Sequence, residues 1–315
     1  MKTGDLSITG MRGVGAIIVM LYHYRFLMPN VAEIDAYLGG FVTGMHTLLD
    51  FFFIVSGFII SFAYARMFEE KVTWAASVKY FAARLGRLYP LHIALLLPLV
   101  LVEGAALAAY LAGAIETDVV PFDRERADLF SLVTNLLMIH SWNVHDSLTW
   151  NLPSWTISAE MAAYIVFVLL FFLPKTLRPV AKIVILGISC AILFDVMKAH
   201  GDLNVSYDYG IIRVLAGFMV GSLIYDIAAT GKVESDRAMA VGQVVGYALF
   251  FAVLYFEWNE LVSLIAFGMI TWGLRSNAGP VGSLLNNKPI VYLGEISYSV
   301  YMVHYVIFII SERFG

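Results

Sequence analysis

Charge is what this chain has least of. Asp, Glu, Lys and Arg make up 14% of its 315 residues, where a soluble domain carries roughly 25%. Hydrophobic residues reach 60% and mean hydropathy is +0.79. That balance excludes a water-soluble globule and reads as an integral membrane protein. There is a single cysteine, Cys190, inside an apolar run. It cannot form an internal disulfide and says nothing of redox compartment. The formal net charge of −4 comes without a concentrated basic face, which argues against a nucleic-acid partner. No long polar block stands apart as a soluble unit, so residues 1–315 read as one membrane-embedded domain. Also missing are a phosphate-cradling glycine loop, a zinc-spaced Cys/His cluster and a Gly-x-Ser-x-Gly elbow. ATP-driven transport and metal-dependent hydrolysis lose support, and no metal is expected.

What the chain does have is apolar runs, each near the roughly 20 residues needed to cross a bilayer. They are Ile8–Leu27, Leu48–Met67, Leu88–Ala112, Trp155–Leu173, Ala181–Met197, Ile211–Ala229, Met239–Phe256, the short Leu261–Leu274, and Pro289–Ile310. Leu129–Ser141 is shorter and reads as a partial, re-entrant or tilted element. The expected fold is therefore all-α, a polytopic transmembrane bundle of about ten helices. The first run reads as a retained signal-anchor helix. Arg66, Lys71, Lys79, Arg84 and Arg87, then Lys175, Arg178 and Lys182, mark the cytoplasmic side, and the N-terminus falls there too. Residues 114–154 form the longest polar interruption, either an outward lid over a site or a plain connector.

Ionisable groups within a span need an internal partner or a wet cavity. Arg12, His23, Asp50, Glu103, Glu160, Arg213, Asp226 and His304 meet that description, and together they point to a shared polar interior. Arg12 and His23 have ten residues between them. Eleven helical steps make about 1100°, close to three turns, and rise roughly 16 Å, so both side chains face one way. His23 could act as general base on a hydroxyl, although an interfacial histidine between Tyr22 and Tyr24 is the plainer reading. Asp50, at the outer end of the second run, could orient that imidazole. Ser56-Gly57 would let two helix backbones approach.

Arg84 and Arg87 share a helix face and form a fork for phosphate oxygens; ordinary positive-inside anchoring accounts for them equally. Tyr89-Pro90 is expected to bend the start of the third span. Glu160 and Tyr164 stand at i and i+4, with Ser158 beside them, and could hold a sugar hydroxyl or steady a catalytic group. Ser297, Tyr301 and His304 make one polar stripe on the last run. A packing seam explains most of that stripe, with His304 the exception.

Taken in order, these motifs resemble membrane-bound acyltransferase family 3. The resemblance rests on the Arg12–His23 pair, Phe52 to Phe58, Arg84 and Arg87, Ser158 to Tyr164, and Gly294 to His304, and it runs from residue 8 to about 310. One departure is Ala163 where the family pattern usually has Phe. The resemblance implies acyl transfer, commonly of acetyl, from cytoplasmic acyl-CoA to a hydroxyl of an extracytoplasmic glycan, such as an exopolysaccharide or a lipid-linked oligosaccharide. It implies a bacterial inner-membrane enzyme with acetyl-CoA as donor substrate and membrane lipid around it. His23 would be the base, aided by Asp50 or Glu160. Arg12, Arg84 and Arg87 would hold the donor, and Ser158, Tyr164, Tyr301 and His304 would face substrate. Direct attack on the thioester and an acyl-His23 intermediate both remain open. Some members carry a fused esterase-like domain, and this chain is expected to act without one. A transporter or flippase of a glycan or acyl compound is the alternative of another class, weakened by the lack of an inverted repeat.

Overall fold

The computed structural model describes residues 5–69, 71–231 and 235–314. Its helices are α1 (Asp5–Tyr24), α2 (Val31–Leu38), α3 (Gly40–Thr43), α4 (Leu48–Phe68), α5 (Trp74–Leu111), α6 (Leu129–Leu136) and α7 (Trp155–Leu170). They continue as α8 (Arg178–His200), α9 (Gly210–Ala229), α10 (Asp236–Phe256), α11 (Val262–Gly273), α12 (Gly279–Leu285), α13 (Lys288–Glu295) and α14 (Ser297–Phe314). No strand occurs among the described residues. In hydrocarbon a backbone amide has no water to bond, so a helix that satisfies its own groups is the available solution for apolar runs of this length.

Among the described residues, seven helices are long and apolar enough to cross a membrane: α1, α4, α5, α7 together with the 3-10 turn before it (Leu152–Leu170), α8, α9 and α10. The bent pair α13–α14 makes an eighth. α11 has 12 residues, a length of about 18 Å, and lies against α10, α4 and α9. The fold is all-α, as the hydropathy pattern requires.

Three elements depart from the sequence reading. Pro289–Ile310, expected as one span, is broken between α13 and α14 with a bend of 64°. The cause is local. The Gly294 backbone lies against the Thr9 carbonyl, and the Ser297 hydroxyl donates to the Gly294 carbonyl oxygen at 2.8 Å. The third span was expected to start at Leu88 with a bend at Tyr89-Pro90. Instead α5 runs 38 residues through Pro90 and Pro98, roughly 57 Å, capped where Ala76 N donates to Thr73 Oγ1 at 3.1 Å. Arg84 and Arg87 therefore sit inside a helix. Finally, only Leu129–Leu136 of the partial element is helical; residues 137–151 are non-helical but packed, with His140, Ser141, Trp150 and Asn151 buried.

Close contacts lock two seams. A methyl group on Gly57 would overlap the Phe218 carbonyl oxygen, and one on Gly221 the Ile54 carbonyl oxygen. α4 and α9 thus cross backbone to backbone, and Ser61 and Ser222 join hydroxyl to hydroxyl at 2.8 Å just beyond. Gly57 does what its size permits, while Ser56 turns to the cavity described below. α1 meets α13 and α14 in the second seam. Arg12 reaches Ser297, and His23 lies against His304. Both numbers rise together, so α1 and α14 run parallel. Their C-terminal ends consequently lie on the same side.

Candidate active site

α1, α4, α5, α7 and α14 line a partly open cavity of ≈ 140 Å³. Its polar lining is Arg12, Ser56, Arg84, Arg87, Thr156, Glu160, Tyr164, Ser297, Tyr298 and Tyr301, and its apolar wall includes Leu49, Phe52, Phe53, Ile60 and Ile157. Helical spacing explains the convergence. Thr156, Glu160 and Tyr164 recur every four residues on α7, and Ser297 and Tyr301 do the same on α14.

Three guanidinium groups face this space. Arg12 Nη2 donates to Ser297 Oγ at 3.1 Å. Arg84 Nη2 donates to the Tyr64 hydroxyl at 2.7 Å, with its guanidinium carbon 4.8 Å from the centre of the Tyr64 ring. Arg84 Nε is buried with no protein partner, a donor left over for something else. Arg87 is exposed at the mouth. Opposite them the Tyr164 hydroxyl donates to Glu160 Oε2 at 2.9 Å. Glu160 also engages the Ser56 hydroxyl and lies within electrostatic reach of Arg87 and Arg12. One carboxylate against three guanidinium groups leaves the cavity cationic.

His23 lies outside this lining. Its ring sits against His304, centroids 4.9 Å apart, and its Nδ1 donates to the Val19 carbonyl at 2.8 Å. His304 Nδ1 donates to the Tyr301 carbonyl, and the Tyr24 hydroxyl donates to the His304 carbonyl at 3.1 Å. Between histidines and cavity stands Tyr301, one turn before His304, with its hydroxyl bonded to Thr156. The shared polar interior expected from sequence is thus divided, with Tyr301 and Thr156 between the arginine-lined cavity and the two histidines.

Two assigned residues belong elsewhere. Asp50 does not orient His23. Its two oxygens accept from Arg213, Oδ1 from Nε at 2.8 Å and Oδ2 from Nη2 at 3.1 Å. Arg213 Nη1 donates to the Leu203 carbonyl, and Nη2 donates to the His46 carbonyl as well. His46 Nε2 in turn meets Glu260 Oε1 at 3.1 Å. This group ties α4, α9 and the turn before α11 together at one end of the bundle. Burial pushes the Glu260 carboxyl up, but the bond and charge of His46, the Leu203 amide and Arg213 outweigh it and hold Glu260 below the usual carboxylate range.

Ser158 does not face the cavity either. Two residues from Glu160, it is rotated about 200° around α7, and its Oγ accepts from Ser141 N at 3.0 Å. With Trp142 Nε1 donating to the Ser158 carbonyl at 2.9 Å, it fastens the 137–151 segment. That segment covers the N-terminal end of α7 and reaches α14, where Asn151 Nδ2 donates to the Met302 carbonyl.

The eight ionisable groups expected to share one interior are likewise divided. Lys182 holds Asp226 at 2.7 Å, Arg124 holds Glu103 at 3.4 Å, and Asp50 and Arg213 pair, which leaves Arg12 and Glu160 at the cavity and His23 with His304. Sequence reasoning missed Thr156, Tyr298 and Tyr64 as members of the site. Thr156 was findable, four residues before Glu160. Tyr64 and Tyr298 carry no signal without the packing. Among the described residues no three His, Cys, Asp or Glu side chains converge.

A family model described as an acyltransferase domain matches residues 5–315. No curated protein and no solved structure matches the chain.

Proposed function

This chain belongs to acyltransferase family 3, and we propose that it moves an acyl group, acetyl foremost, from cytoplasmic acyl-CoA to a hydroxyl of an extracytoplasmic glycan, such as an exopolysaccharide or its lipid-linked precursor. Family membership and the apolar helices make it a membrane acyltransferase. One observation carries the proposed reaction: Arg12, Arg84 and Arg87 face a single cavity whose far end abuts the α1–α14 seam that holds His23.

Guanidinium groups match phosphate oxygens in charge and fork geometry. Arg84 and Arg87 would grip the CoA phosphates at the mouth, on the side where Arg66, Lys71, Lys79 and Lys175 place the cytoplasm. The start of α1 at Asp5 would lie on that same side. Arg12, oriented by Ser297, would meet the donor deeper in, and the apolar wall suits pantetheine and a short acyl chain. Glu160, held by Ser56 and Tyr164, keeps Arg12 and Arg87 turned toward the cavity. His23 takes the acceptor's hydroxyl proton, the oxygen attacks the thioester carbonyl, and CoA leaves as the thiolate.

Arg84→Ala and Arg87→Ala are expected to raise KM for acetyl-CoA about tenfold each, with KM for the acceptor unchanged. His23→Ala should lower kcat about 10²–10⁴-fold. Both are read with purified protein and radiolabelled acetyl-CoA. Equal losses for donor and acceptor in the arginine variants would overturn the donor assignment. Mass spectrometry of surface glycans from cells with and without the gene should show one acyl mass lost.

A further inference from the structure

The base assigned above lacks the carboxylate that would ordinarily steady it. Asp50 is taken by Arg213, Asp35 by Arg25, and Glu160 by Tyr164 and Ser56. What faces His23 instead is a second imidazole. Both rings have Nδ1 on a backbone carbonyl, Val19 for His23 and Tyr301 for His304. A carbonyl only accepts, so each Nδ1 carries the hydrogen and each Nε2 is left as a bare lone pair. His304 Nε2 is buried and has no partner, which is a costly way to leave an acceptor unless the reaction uses it. The two ring centroids are 4.9 Å apart, tilted by 45°.

We propose that His304 is the proton-sharing partner of His23, its Nε2 accepting the hydrogen bond from His23 once that ring has taken the acceptor's proton. The inference rests on the acyl-transfer reading and deepens it. In the step, the acceptor O–H bond breaks and its proton goes to His23 Nε2, shared with His304 Nε2. The acceptor oxygen bonds to the thioester carbonyl carbon and the C–S bond breaks. The CoA thiolate then takes the proton, and both imidazoles are neutral again. A neutral imidazole here does for the imidazolium what a carboxylate does elsewhere, without placing a net negative charge in the membrane.

The test uses the full chain in detergent, radiolabelled acetyl-CoA and a panel of methyl hexopyranosides as probe acceptors. His304→Gln and His304→Ala should each lower kcat about 100-fold while KM for acetyl-CoA stays within about twofold. Added imidazole should restore part of the rate to His304→Ala and none to His23→Ala. Thermal unfolding checks that the variants are folded, and His304→Gln serves where His304→Ala is not. A kcat within about threefold of wild type, or a loss carried by KM, overturns the proposal. If the wild type forms no labelled ester with any probe, the acyl-transfer reading fails first, and this inference with it. Normal transfer by wild type and His304 variants alike sinks the inference alone.

Discussion

Arg213 is 1% exposed, and every nitrogen of its guanidinium has an acceptor: Asp50, the Leu203 carbonyl and the His46 carbonyl. A buried charge of this kind is tolerable only because it is matched. Arg213→Met should therefore destabilise the protein by about 3–5 kcal/mol, because Asp50 is left charged and alone. Pairing it with Asp50→Leu should recover much of the loss, as a double-mutant cycle on thermal unfolding in detergent would show. His140 makes a separate prediction. Burial, then the neighbouring His92, pushes its imidazole down to about 3, against the partial relief of its bonds to Ser154 and Thr134. The unfolded chain binds a proton there below about pH 6.5 and the folded protein does not until about 3. Stability should then fall as pH drops through that window, and Glu260, held low by His46, acts in the same direction at the acid end. His140→Gln should flatten the slope of unfolding midpoint against pH; an unchanged slope would reject the assignment.

Among elements, glycines separate seams from surfaces. Gly57 on α4 has the Phe218 backbone where a side chain would go, whereas Gly86 on α5 has nothing within 4 Å. Gly57→Leu should thus abolish the α4–α9 crossing and the folded yield with it. Gly86→Ala, an exposed helical position, should be neutral or stabilise by about 0.5–1 kcal/mol. The two variants differ in yield and melting temperature only if the crossing is as close as described. The bend between α13 and α14 belongs at this scale too. It turns Ser297 toward Arg12 and sets α14 alongside α1, which a single straight span from Pro289 would not achieve.

For the molecule as a whole, the arrangement that matters is the partition between the arginine-lined cavity and the two histidines. Tyr301 and Thr156 stand between them, so in the proposed reaction a thioester would pass them to reach His23. Tyr301→Phe removes that bond and should raise acceptor-independent hydrolysis of acetyl-CoA severalfold by admitting water, measured as free thiol released without glycan. Much of the architecture was already legible in the chain. Scarce charge and long apolar runs leave a helix bundle as the available solution, and spacings of four and eleven residues put Arg12 with His23, Glu160 with Tyr164, and Ser297 with Tyr301 on shared faces. Those are local properties, fixed by helical geometry before any helix meets another. Which face meets which partner is not local. Asp50 went to Arg213 across 163 positions, Ser158 turned to the 137–151 segment, and His304 came to rest on His23. Each depends on how helices far apart in sequence cross, and a buried ionisable group takes whatever counter-group that crossing brings within reach.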